Sequence, residues 1–245
     1  RAALNFLQLL SGIATTTLGF PREPPERRRA LIRRWSQQLL RMMNVEARVH
    51  GAIEAHGGNV LVVANHVSWL DIVVLNAHRP SRFIGKAELA RWPVVGRLIR
   101  GTGTLFIERA RRHDTHRVNR HAADALAAGD VVAVFPEGTT TDGTTVLRFH
   151  GSLLLPVAIR YHDAAGAVSP APEYVGDTSF ATSFWRVCGE RRLGVELIAA
   201  PALPARTRHR RDLARDAEDA IRTALAERDA ARAPGTRGGP AAGPR

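Results

Sequence analysis

Five consecutive apolar residues, Val60 to Ala64, run into a polar cluster, Asn65-His66-Val67-Ser68, and then into Trp69-Leu70-Asp71-Ile72-Val73-Val74-Leu75. The first run has the length and β-branched content of a buried strand. The second reads as a helix over Trp69 to Ala77, with Ser68 as its N-cap and Asp71 in its first turn. His66 therefore sits where a strand ends, the place where open α/β sheets carry their chemistry. His66 alone among the ten histidines has an aspartate five residues later. Composition by itself gives about 0.4 such pairs by chance, so spacing alone decides nothing. Two readings stand: Asp71 serves the helix dipole, or a loop folds its carboxylate back onto the imidazole.

The rest of the chain extends this pattern. From Val45 strands and helices alternate, which predicts an α/β domain with a mostly parallel central sheet flanked by helices. Strands are expected at Val45 to Ile53, Val60 to Ala64, Arg82 to Gly85, Gly103 to Glu108, Val131 to Phe135, Leu153 to Tyr161 and Val195 to Ala199. Helices are expected at Trp69 to Ala77, Trp92 to Arg100, His113 to Ala128 and Arg208 to Arg228, with Gly129 ending the third. Val131 to Phe135 is nearly continuous in its apolarity, as for a strand covered on both faces. This domain is placed at residues 45–230, and the Pro- and Gly-rich stretch 231–245 reads as a disordered tail.

Residues 1–44 read differently. Ala2 to Pro21 carries no charge and lies between Arg1 and Arg22. About twenty residues is near the minimum for a membrane span, but Asn5, Gln8, Ser11, Gly12 and Thr15 to Thr17 dilute the run. A helix lying in the membrane surface and a single span are both expected readings. Glu26 to Met43 reads as a basic amphipathic helix, with Leu31, Trp35, Leu39 and Met42 on one face and arginines on the other. That composition suits an anionic lipid surface, or plain packing on the core.

The formal net charge of +12 favours an anionic partner. An aromatic content of 6% speaks against base stacking, so no nucleic acid is expected. Cys188 is the sole cysteine, which excludes an internal disulfide and a cysteine-ligated metal. Neither a metal nor a resident cofactor is expected.

Three further clusters follow strands. Phe135-Pro136-Glu137-Gly138-Thr139 puts an acid, a glycine and a hydroxyl at the end of the most apolar strand, a composition suited to binding or to a polar turn. Gly103 to Arg109 runs from strand to charge, and Lys86, the chain's only lysine, follows Gly85.

Taken together, Asn65 to Asp71, Gly103 to Arg109, Phe135 to Thr139 and Leu155-Pro156-Val157-Ala158 resemble, in order and spacing, the four blocks of the glycerolipid acyltransferases. The bacterial 1-acyl-glycerol-3-phosphate type is the most similar, and the resemblance spans roughly residues 45–200. It implies transfer of a fatty acyl group from an acyl carrier protein or coenzyme A thioester to a lysolipid hydroxyl. The setting it implies is the cytoplasmic face of the inner membrane, attached peripherally or by one N-terminal span. It implies His66 as general base oriented by Asp71, with Glu137, Gly138, Thr139 and Thr140 lining the acceptor site and Lys86 and Arg109 at the headgroup. The chemistry agrees: neutral imidazole can activate a lipid hydroxyl, and no G-x-S-x-G nucleophile is present.

Two features depart from the family pattern. Thr140 stands where the family carries an arginine that serves the acceptor phosphate, and guanidinium is the strong bidentate phosphate ligand. FPEGTTTDG is similar instead to the lyso-ornithine lipid acyltransferases. The segment from Phe149 to Pro156 is also short for the helix the family carries there. Two other functions remain open: a thioesterase-like hydrolase using the same His/Asp pair, and a non-catalytic basic membrane-binding protein.

Overall fold

The computed structural model describes residues 2–92, 95–108, 112–136, 153–173, 178–206 and 208–232. The strands are β1 (Val45–His50), β2 (Val60–Ala64), β3 (Arg82–Lys86), β4 (Leu105–Ile107), β5 (Val131–Val134), β6 (Leu153–His162), β7 (Leu193–Ala199) and β8 (Leu203–Pro204). The helices are α1 (Ala2–Ala14), α2 (Pro25–Met42), α3 (Leu70–His78), α4 (Val95–Gly101), α5 (Arg112–Ala127), α6 (Phe180–Gly189) and α7 (Arg210–Arg232). One sheet runs in the order β1-β7-β6-β2-β5-β3-β4, with β8 pairing β6. From β6 to β4 every neighbour is parallel, whereas β7 runs antiparallel to β6 and parallel to β1. The expected parallel α/β sheet is thus present, with an antiparallel β7 and a short β8 that periodicity did not indicate.

β2 explains why the sheet sits where it does. All five of its residues are buried, and they alternate between two cores. Val60, Val62 and Ala64 join α2, α3 and α6 on one face, while Leu61 and Val63 join α5 and α7 on the other. A strand covered on both faces has no use for polar side chains, hence the unbroken apolar run. Gly129 follows α5 at φ +84°, a left-handed conformation that glycine adopts without strain.

The helix expected at Trp92 begins later, at Val95, and a 3₁₀ segment, Ala87–Arg91, precedes it. β1 ends at His50 rather than Ile53, because Gly51 turns at φ +81°. α6 was not anticipated. Its apolar positions Phe180, Phe184 and Val187 do carry helical spacing, and Ser179 caps it by accepting from the Thr182 N–H at 3.1 Å.

α1 stops after 13 residues and passes into a π-helical turn at Thr15–Gly19. Among the described residues no helix is long and apolar enough to cross a membrane, so the single-span reading of residues 2–20 finds no counterpart there. α2 packs its apolar face on the core through Leu39 and Leu40. Its polar side also works inward: Arg33 donates to the His78 carbonyl (2.7 Å) and Gln37 to the Ala77 carbonyl (3.0 Å), satisfying carbonyls at the end of α3. Of residues 231–245, expected to form a disordered tail, Ala231 and Arg232 instead belong to the last turn of α7, and 233–245 lie outside the described residues.

Candidate active site

The strands β2, β5, β3 and β4 are parallel, so their C-terminal ends open on one edge of the sheet. His66 follows β2 there by two residues. Asn65 holds the strand's exit: its side-chain carbonyl accepts from the Ile159 N–H (2.7 Å) and its amide donates to the Ile159 carbonyl (2.9 Å). The asparagine thereby continues the β2–β6 ladder, whose last backbone pair is Ala64 with Val157, and releases the main chain to turn.

The turn brings Asp71 back onto His66. The His66 Nδ1 lies 2.8 Å from Asp71 Oδ2, and the Val67 and Ser68 N–H groups donate to the same oxygen at 2.8 and 2.9 Å. The Ser68 hydroxyl in turn accepts from the Leu70 N–H at 3.2 Å. Asp71 lies in the first turn of α3, whose N-cap is Trp69 rather than the expected Ser68, and its carboxylate folds back onto the imidazole. Asp71 is fully buried, while the His66 side chain is one-third exposed. A carboxylate only accepts, so His66 carries its proton on Nδ1 and its lone pair on Nε2.

Two contacts that the sequence did not suggest fix the pair. Phe135 stacks on the His66 ring at a centroid distance of 4.2 Å and 13° between planes. The Tyr161 hydroxyl donates to Asp71 Oδ1 at 2.7 Å from the end of β6. Burial, then the Asp71 charge and the hydrogen bond to it, hold the Tyr161 phenol well above its ordinary value, so it remains a donor. Trp69 braces the turn from the other side, donating through Nε1 to the Ser183 hydroxyl of α6 (3.0 Å) and packing edge-on against Phe180.

Lys86 is exposed at the C-terminal end of β3, two strands across from β2. That is about 10 Å at ordinary strand spacing, on the same edge of the sheet as His66. Arg109, Glu137, Gly138, Thr139 and Thr140 lie outside the described residues, as does the short connection before Leu153. Phe135 does bring the start of the FPEGT block against the imidazole. Among the described residues no group of three or more His, Cys, Asp or Glu side chains is placed to hold a metal.

Comparison with known proteins agrees with this arrangement. A family model described as acyltransferase matches residues 46–159. The 1-acyl-sn-glycerol-3-phosphate acyltransferase of Neisseria meningitidis is 34% identical over 83% of this chain and 84% of its own length. The lyso-ornithine lipid O-acyltransferase of Pseudomonas aeruginosa is 37% identical over 81% of this chain and 79% of its own. The crystal structure of the 1-acyl-sn-glycerophosphate acyltransferase of Thermotoga maritima has the same fold, with a TM-score of 0.61 at 21% identity over 97% of this chain and 100% of that one. A match that runs through the His66–Asp71 turn and extends over four-fifths of the chain leaves one conclusion: this protein belongs to the acyltransferase family.

Proposed function

We propose that this acyltransferase moves a fatty acyl group from a thioester to the hydroxyl of a lysolipid, with His66 as the general base. The observation that carries this reading is the buried Asp71 carboxylate at 2.8 Å from His66 Nδ1, on a ring one-third exposed at the strand edge. The acceptor hydroxyl gives its proton to His66 Nε2 as its oxygen attacks the thioester carbonyl. Asp71 stabilises the imidazolium that forms, as the carboxylate does in hydrolase triads. Collapse of the tetrahedral intermediate expels the thiolate, which takes the proton back from the imidazolium. An ester is made, a thioester is broken, and the base returns to its starting state. No covalent acyl-enzyme is required, and Cys188 lies on α6 rather than at the His66 turn.

The donor is an acyl carrier protein or coenzyme A thioester, and no resident cofactor takes part. Glu137, Gly138, Thr139 and Thr140 line the acceptor site, and Lys86 and Arg109 meet its headgroup. Thr140 in place of arginine supports the ornithine-type acceptor over the phosphate type. The enzyme works on the cytoplasmic face of the inner membrane. Support for surface attachment comes from the exposed Leu7, Leu10 and Leu18 of the N-terminal helical segment and from Arg27, Arg34 and Arg41. These arginines recur every seven residues on the outer face of α2, as for a helix lying on anionic lipid.

The test is an assay of purified protein with labelled acyl thioester and a panel of lysolipids. His66→Ala is expected to lose roughly 10²-fold or more in kcat with little loss of folding. Free fatty acid as the sole product, unaffected by lysolipid, would replace transfer with hydrolysis. Full activity in His66→Ala would refute the base. Thr140→Arg is expected to move preference toward a phosphate headgroup.

A further inference from the structure

Asp71 has two oxygens, and the loop that holds His66 satisfies only one. Oδ2 takes the imidazole and the Val67 and Ser68 N–H groups, all within five residues of it. Oδ1 points into the core, where an acceptor left unsatisfied is costly. Its partner comes from 90 residues away: the Tyr161 hydroxyl, at 2.7 Å.

Tyr161 reaches it because β6 outruns β2. The two strands pair in parallel up to Ala64 and Val157, and Tyr161 stands four residues beyond that point. The overhang is held on both sides. Asn65 grips Ile159 through both of its amide groups, and β7 pairs Tyr161 with Val195. The phenol ring is 2% exposed, within the core beside α3, so its hydroxyl has little freedom to leave.

We infer that Tyr161 is a positioning residue for the transfer reaction: its hydroxyl pins Asp71 so that the opposite oxygen presents a fixed acceptor to His66 Nδ1. The inference rests on the reading of His66 as general base. Tyr161 acts through Asp71, the group its hydroxyl binds. Its second effect is electronic. A hydrogen bond to Oδ1 draws charge from the carboxylate, so Tyr161 also sets how strongly Asp71 pulls on the Nδ1 proton.

Tyr161→Phe removes the hydroxyl and keeps the ring. kcat per folded enzyme is expected to fall about 10-fold, in line with the sensitivity of such sites to small displacements, while KM for both substrates stays within about twofold. A residue that only fills the core would lower thermal stability and leave kcat of the folded fraction unchanged, and that outcome overturns the inference. In an Asp71→Asn background, Tyr161→Phe is expected to change kcat by less than about twofold, because groups acting as a unit are not additive. A further 10-fold loss there would show a role independent of Asp71 and overturn it as well. If Tyr161→Phe does not fold, 3-fluorotyrosine incorporated at position 161 keeps the shape and alters the acidity of the hydroxyl. A kcat that moves by more than about twofold at constant KM supports the inference, and an unchanged kcat overturns it. His66→Ala assayed alongside separates the two levels. Loss in His66→Ala with no loss in Tyr161→Phe removes the tyrosine and leaves the base standing, whereas retained activity in His66→Ala removes both.

Discussion

Asp71 and Glu196 are both buried carboxylates, and the protein treats them in opposite ways. Asp71, at the strand edge, is held by an imidazole, two main-chain N–H groups and a phenol, at 2.7 to 2.9 Å. Glu196 lies on β7 under α7, 2% exposed, and its partners are three arginines and a histidine. Arg232 reaches Oε1 at 3.1 Å, His50 at 3.3 Å and Arg228 at 3.7 Å, while Arg160 faces Oε2 at 3.8 Å. Arg160 also binds Asp229 of α7 at 2.7 Å. The difference lies in what each group is for. Neutral, short, directional bonds fix one oxygen for a neighbour that must gain and lose a proton. A ring of arginines instead neutralises a buried charge and ties the C-terminal helix to the sheet.

The sharpest way to break this contrast is to neutralise each carboxylate in turn. Asp71→Asn is expected to lower kcat by roughly 10²- to 10⁴-fold, the range seen when a triad carboxylate is replaced by its amide, as read by steady-state transfer assays. Glu196→Ala is expected to leave kcat of the folded enzyme unchanged and to cost about 3 kcal/mol in chemical denaturation, because it removes the buried carboxylate that Arg160, Arg228 and Arg232 share. A large kcat loss in Glu196→Ala would erase the division of labour between the two sites.

Acid titration sharpens it further. Burial alone would raise Glu196, but Arg232, Arg228, His162 and His50 outweigh it and hold the carboxyl below its ordinary value. A carboxylate whose folded pKa is depressed contributes stability above the unfolded value, about 4.5, and loses that contribution as pH falls through the folded value. Stability curves of the unmodified protein are expected to steepen below about pH 4.5, and Glu196→Gln to flatten them there. The smallest effect belongs to the turn beside the catalytic pair. Ser68→Ala removes the acceptor for the Leu70 N–H and is expected to cost about 1 kcal/mol in urea denaturation, with kcat changed less than threefold.

The parts of this molecule visible in the sequence are those with local causes. β2 occupies Val60–Ala64 as its apolar run indicates, because a strand with both faces covered needs every residue apolar. The Ser68–Asp71 turn is equally local: the Ser68 N–H donates to Asp71 Oδ2 and the Asp71 N–H to the Ser68 carbonyl, three residues apart. α6 is hard to read from the sequence because Phe180 to Gly189 is short and rich in aromatic and hydroxyl residues, which propensity assigns weakly to helix. The antiparallel direction of β7 leaves no mark on its own residues, since burial on both faces looks the same in either orientation.

By itself the sequence determined the α/β alternation, the place of His66 at a strand end and the acid five residues on. It also carried the four blocks that tie the chain to its family. Tertiary structure alone decided that Phe135 covers the ring and that Tyr161 closes the far side of the carboxylate. The physical reason is distance along the chain. Hydrogen bonds within one turn are set by spacing, but a phenol meets a carboxylate 90 residues away only when strand register brings β6 past the end of β2.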